Sequence, residues 1–292
     1  MHILIAPGAF KHSLGAAQVA QAIARGLERS GLPATYHLMP IADGGNGTLD
    51  AFLANGGQRI PITVENPLGQ AIEAAYGLLP DGQTAVIEMA LASGIELTLQ
   101  PDAMRASTYG TGQLMRAALE HGITRMIIGL GGSATTDGGA GCLQALGVRL
   151  MDSHGHDIAR GGAGLAQLER IDTSGLDSRW ASVEVLIASD VENPPIGEMG
   201  AAVVFAPQKG ASPEQVTQLD SNLRHYFMRI RDQLGIDVLT VRGGGAAGAF
   251  AAGLMALLGG HIVSGIDLIL THNRFESALE SAALVITGEG QI

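Results

Sequence analysis

The chain has a single cysteine, Cys142, which excludes an internal disulfide and fits a reducing compartment, so a cytoplasmic location is expected. Cys142 sits among small apolar residues at the start of a predicted helix, where a buried, inert thiol is expected. Basic residues are also scarce: 17 Lys and Arg face 28 Asp and Glu, for a net charge of −11, and no Lys/Arg run occurs. Nucleic acid and anionic membrane both require a clustered basic face, so neither is expected as a partner. Aromatics make up only 4% of the chain while Gly reaches 42, which excludes a fibrous or all-β protein and points to a loop-rich α/β enzyme. The N-terminus has no basic segment and only a short apolar run, so no signal peptide is expected. Residues 243–266 carry no charge over a length that could span a bilayer, yet they are mostly Gly and Ala, break at Gly259-Gly260 and lack flanking aromatic or basic anchors. A buried helix against a sheet is the expectation there.

Lysine is the scarcest charged residue, with only Lys11 and Lys209, each in a Gly/Pro-rich context; surface decoration and function are both open for them. The densest functional signal is Gly129-Leu130-Gly131-Gly132-Ser133-Ala134-Thr135-Thr136-Asp137-Gly138-Gly139-Ala140-Gly141, which follows the apolar run Arg125–Ile128 and opens into an apolar segment. That pattern reads as strand, loop, helix. Glycines let backbone N–H groups converge, and a helix N-terminus adds partial positive charge, so such a loop is suited to an anion. Ser133, Thr135 and Thr136 add donors. Asp137 is either an N-cap or a group that holds metal or takes a proton.

In chain order, His2–Ala6 reads as a strand leading to Lys11 and an amphipathic helix with Val19, Ile23 and Leu27 on one face. Tyr36–Pro40 is a second strand, followed by the loop Asp43–Thr48 and a helix over Leu49–Ala54; Asp43 is an N-cap or a functional carboxylate. Short extended runs at Arg59–Val64, Ala71–Leu79 and Thr84–Met89, separated by turns, predict hairpin-like strands, and a domain crossing is placed near Val64. Val183–Ser189 is a strand with Asp190 just beyond it, and Ala201–Phe205 is read as another strand before Lys209. Ser212-Pro213-Glu214-Gln215 forms a capping box for a long amphipathic helix, on which His225 takes a surface-facing register. Gly243–Gly248 satisfies G-x-G-x-x-G, with Asp267 placed where a ribose-binding acid would be sought, and this keeps a dinucleotide-binding oxidoreductase as a rival. The final segment, Ala283–Ile292, contains a strand predicted to be buried.

Taken together, these segments resemble the type I glycerate kinase family. The matching pieces are Ile5-Ala6-Pro7 with Phe10-Lys11, Ala42-Asp43-Gly44-Gly45, Gly110-Thr111-Gly112, Gly131–Thr135 with Asp137–Gly141, Ser189-Asp190-Val191, Pro207–Ala211, Gly245–Gly248 and Ile286–Gly290. The resemblance implies two α/β domains, the first a Rossmann/flavodoxin-like parallel sheet (1–63 plus 283–292) split by an inserted α/β domain (64–282) that carries the Gly-rich loops. It also implies ATP-dependent phosphorylation of D-glycerate with Mg²⁺, most often at the 2-hydroxyl, and leaves a homodimer open. The chain departs from the family's pattern at Gly8-Ala9, where Asp-Ser is usual, at Asn46, where Glu is usual, and at Thr136, where Asn is usual. Family members continue past residue 292, so the chain is expected to be a fragment or a truncated homologue, and a catalytically inactive glycerate-binding homologue is a further alternative.

Phosphoryl transfer calls for positioning and charge neutralisation, which suggests roles for individual residues. Gly131, Gly132, Ser133, Thr135, Lys209, Gly245, Gly248 and Asp43 are expected at the phosphates or substrate, Asp137 and Glu289 at Mg²⁺, Asp190 as the base, and Lys11 at the glycerate carboxylate. Asp137 joins Asp190 and Lys11 as a catalytic candidate, and exchange of roles among Asp43, Asp137 and Asp190 stays open.

Overall fold

The computed structural model describes residues 1–10 and 13–289. The chain begins with β1 (His2–Ile5), α1 (Ala16–Arg29), β2 (Thr35–Leu38) and α2 (Thr48–Leu53), and continues through β3 (Gln58–Glu65), β4 (Ala71–Leu78) and β5 (Thr84–Glu88). Then come α3 (Ala90–Ser93), α4 (Tyr109–Leu119), β6 (Arg125–Gly129), α5 (Ala140–Ala145), the short strands β7 (Arg149–Met151) and β8 (Arg170–Asp172), and β9 (Glu184–Ala188). The last part holds α6 (Ala201–Phe205), α7 (Pro213–Leu234), α8 (Ala246–Leu258), β10 (His261–Val263), α9 (Gly265–His272), α10 (Phe275–Ser281) and β11 (Leu284–Ile286).

Two sheets define this α/β architecture. A small one has the order β11-β1-β2 and is wholly parallel. The larger has the order β10-β9-β6-β5-β4-β3, parallel from β10 to β5 and antiparallel beyond. Side chains alternate across a strand, and both faces of the parallel region are covered, so its strands are apolar without interruption. On one face Ala85, Ile87, Met126, Ile128, Val185 and Ile187 pack with α4, α5, α7 and α8. On the other, Val86, Ile127 and Ala188 meet Leu49 and Phe52 of α2 and Ile269 of α9. The small sheet is sandwiched in the same manner: Ile3 and Ile5 face α1, while Leu4 and Ala6 face Ala278 of α10.

These contacts correct several expectations. α2, which precedes the crossing expected near Val64, buries its apolar face on the large sheet. Ala201–Phe205 is a helix, because Ala201 and Ala202 are the residues buried against the α7 and α8 layer while Val203 and Val204 stay at the surface; packing overrides the β propensity of the two valines. β11 is a half-exposed edge strand instead of a buried one. His225 is partly buried, with its ring Nε2 2.7 Å from the Leu168 carbonyl. The long helix is capped as expected: Ser212 Oγ accepts from Gln215 N, Gln215 Oε1 accepts from Ser212 N, and Gly235 at φ 73° ends it. Residues 243–266 supply the buried α8, and no helix among the described residues is long and apolar enough to cross a membrane.

Candidate active site

All parallel strands of the large sheet release their loops at one edge, where open α/β sheets bind ligands. The segment after β2 runs across this edge. The Gly44 carbonyl accepts from Gly131 N (2.9 Å), and a Cβ on Gly44 would lie 2.5 Å from the Ala188 carbonyl, so only glycine permits the approach. Asp43, Gly44, Gly45, Leu130, Gly131, Ala188, Ser189, Asp190, Val191, Ala246 and Ala247 thereby enclose a cleft of about 300 Å³, near the lower end of the range for small-molecule sites. Asp43 and Asp190, predicted from separate segments, come together here with Gly131. Both side chains are exposed, and neither forms an ion pair among the described residues. Asp43 Oδ1 accepts from Gly45 N at 3.0 Å, which aims the carboxylate.

Residues 131–135 rise beside the cleft as a loop pinned by the backbone. Ala134 N donates to the Ser93 carbonyl and Ile95 N to the Gly132 carbonyl, each at 2.9 Å. Gly132 has φ 75°, and a Cβ there would lie 2.3 Å from Asn46 Oδ1. The N–H groups of Gly132 and Ser133 find no acceptor among the described residues, and both residues reach the surface. A turn with free outward N–H groups fits a phosphate or carboxylate oxygen.

Two predicted site residues are held inside the protein. Asp137 is fully buried, and its carboxylate accepts from Thr108 N (2.8 Å), Thr108 Oγ1 (3.0 Å), Gly139 N (3.1 Å) and Gly141 N (3.3 Å). Burial pushes this carboxyl above the usual range and the four hydrogen bonds pull against it. In this structure the carboxylate therefore does structural work, taking three donors at Oδ2 and one at Oδ1 and so tying α4 to the Gly-rich segment. Among the described residues no group of three acidic, His or Cys side chains is arranged around a common metal position. Lys209 is 2% exposed and lies beneath the loop, where its Nζ donates to Ser133 Oγ (2.9 Å) and the Thr135 carbonyl (2.6 Å). In this structure its ammonium, expected at a phosphate, is engaged by the loop itself. Glu289 lies three residues past β11, beside Gly8, and is not among the residues that line the cleft. Lys11 falls outside the described residues.

Gly245 and Gly248, expected at a phosphate, are places where backbone meets backbone. A Cβ on Gly245 would lie 2.4 Å from the Pro194 carbonyl, and on Gly248 2.0 Å from the Thr135 carbonyl. Ala247, Gly248 and Ala249 are all left-handed, a strained run next to the cleft. Gly248→Ala combines φ 69° with a clash into Thr135, so it is expected to lower stability by about 3–5 kcal/mol in urea unfolding; a loss under 1 kcal/mol would show that the approach is not tight. The dinucleotide fingerprint is not realised either: no strand precedes Gly243, and Asp267 N donates to Ser264 Oγ as part of the N-cap of α9. Thr135 is fully buried with its hydroxyl unpartnered, as is Thr136, one of the departures from the family pattern; the Tyr226 hydroxyl behind Gly138 is likewise unpartnered.

Two functional residues escaped the sequence reading. Glu88, 5% exposed at the end of β5, accepts from Gly47 N and Leu49 N, both at 3.0 Å, and so locks the Asp43–Gly47 segment to the sheet. Its signal was a lone carboxylate closing an otherwise apolar buried strand. Thr108 donates to Asp137 and accepts from Cys142 N at 2.8 Å, joining α4 to the loop, and nothing in the sequence distinguishes it from other threonines.

A Gly-rich turn beside two exposed carboxylates at the C-terminal edge of a parallel sheet is the arrangement of an α/β enzyme that acts on small molecules. A profile of the glycerate kinase family matches residues 3–292, and the chain belongs to that family. It is 47% identical over 293 residues to a glycerate kinase of Halalkalibacterium halodurans, covering 99% of this chain and 77% of that protein. It is also 47% identical over 296 residues to a glycerate 2-kinase of Escherichia coli K12, covering 100% of this chain and 77% of that one. A crystal structure from Salmonella typhimurium LT2, assigned as glycerate kinase 2, superimposes with a TM-score of 0.90 at 47% identity, covering 100% of this chain and 79% of that one.

Proposed function

We propose that the protein phosphorylates D-glycerate with ATP, at the 2-hydroxyl, in the cleft between Asp43, Gly131 and Asp190. The observation that carries this reading is the meeting of two unpaired carboxylates with a turn of free N–H groups, which together serve a hydroxyl to be deprotonated and a phosphoryl group to be held. Asp190 is assigned as the base, because its side chain is exposed to the cleft and engaged by no described residue. Mg²⁺ arriving with ATP would spread the negative charge of the phosphates, and Asp43 has an oxygen left over to hold it once Gly45 N occupies the other. Gly132 and Ser133 are assigned to the phosphates, and Lys11 to the glycerate carboxylate. The division into two units is drawn through the crossing segment 42–47 and near Arg274, where the helices change from one sheet to the other. The lone free thiol supports a cytoplasmic location as part of this reading.

ADP release with ATP, Mg²⁺ and D-glycerate tests the reading. Turnover above the rate without glycerate is expected, with 2-phosphoglycerate as product. Glycerate binding by calorimetry with no ADP release would replace the kinase with a binding protein, and release of 3-phosphoglycerate would overturn the assignment of position.

A further inference from the structure

Lys209 sits on the single turn Pro207–Lys209 between α6 and α7, and its ammonium reaches the inner side of the 131–135 loop. The backbone bonds that pin the loop hold Gly131, Gly132 and Ala134. Nothing else described holds the Ser133 side chain or the Thr135 carbonyl. Because Nζ donates to Ser133 Oγ, one lone pair of that hydroxyl is used on the core side, and its own proton must point elsewhere. The open direction is outward, where the N–H groups of Gly132 and Ser133 are also free.

We propose that Lys209 is a positioning residue of the phosphate loop: it touches no phosphate, but by bonding Ser133 Oγ and the Thr135 carbonyl from beneath it sets the loop's curvature and turns the Ser133 hydroxyl proton toward the bound anion. This rests on the reading that the loop holds phosphate. Burial pushes the ammonium down to about 7 from its ordinary 10.5, and Asp137 is the charged group whose field opposes that fall. A polyphosphate above the loop stabilises the charged form, so anion binding and protonation of Lys209 reinforce one another. The sign for stability is opposite. Between about pH 7 and 10 the unfolded chain keeps a lysine proton that the folded chain has lost, so stability gains from this group as pH rises while anion affinity declines.

The chain has only two lysines, so protein carrying ¹³C at the lysine ε-carbon gives two signals. The signal lost in Lys209→Met is expected to titrate near neutral pH in the free protein and to move to higher pH on addition of ATP, read without any turnover. Calorimetry with ATP on Lys209→Met, Ser133→Ala and the double variant completes the test. Each single change is expected to weaken binding about tenfold, and the double no more than the worse single, the pattern of two groups acting as one. Lys209→Arg, which keeps the charge and donors, should recover part of the affinity and flatten its decline with pH; should Lys209→Met fail to fold, this variant and the wild-type titration carry the test. Additive losses, an ATP-insensitive Lys209 signal, or wild-type affinity in Lys209→Met would overturn the proposal, as would a wild-type protein that binds no ATP. A coupled pair in a protein that binds ATP but does not phosphorylate glycerate would leave the positioning role standing and remove only the substrate.

Discussion

Asp137→Ala is expected to cost about 4–6 kcal/mol, a large share of the roughly 5–15 kcal/mol that a typical domain has in total. Four donors converge on this carboxylate in a fully dry site: Thr108 N, Thr108 Oγ1, Gly139 N and Gly141 N. Each buried donor left without an acceptor is worth about 1–3 kcal/mol, and the hydroxyl of Thr108 can relieve part of the loss by turning. Asp137→Asn is milder, at about 2–3 kcal/mol: an amide oxygen can keep the three bonds made at Oδ2 while the NH₂ opposes Gly139 N alone. Urea midpoints and soluble yield check both. An alanine variant within 1 kcal/mol of wild type would show that the loop does not depend on this carboxylate, and a purely catalytic Asp137 would then be back in contention.

Asp190→Asn is the converse case, with a large effect on rate and little on stability. The side chain is exposed, and no described residue bonds to it, so the fold loses nothing by the change. General-base assistance is worth about 10²–10⁴-fold, and kcat for glycerate phosphorylation is expected to fall by that factor with KM for glycerate changed less than threefold. A rate within a few-fold of wild type would remove Asp190 as the base and leave Asp43 as the candidate. A large rise in KM with kcat intact would make Asp190 a substrate ligand.

Three aspartates show why the site was only partly legible. In the sequence Asp43, Asp137 and Asp190 are alike, each a carboxylate in a loop that follows a strand. Their difference is burial. Asp137 is followed by two left-handed glycines that fold its carboxylate back under the loop onto Thr108, a residue 29 positions earlier, whereas Asp43 and Asp190 end on the open edge. The same holds for Lys209, whose rarity marked it as functional but whose depth placed it under the loop and not in the cleft. Gly245 and Gly248 drew notice as candidates for phosphate contact, and what the fold adds is the close approach they permit to protein backbone at residues 194 and 135.

Residue pattern alone determined the α/β class, most of the strands, the capped α7 helix, the Gly-rich loop and the family resemblance, because periodicity, caps and turn glycines are local and need no partner to be read. Tertiary structure alone decided that α2 lies on the large sheet, that Ala201–Phe205 is a helix and that Asp43 and Asp190 share one cleft. It also separated the buried carboxylate from the exposed ones. Each of those facts depends on which distant residue lies across the contact, and hydrogen bonds and burial between segments far apart in the chain leave no trace in local sequence.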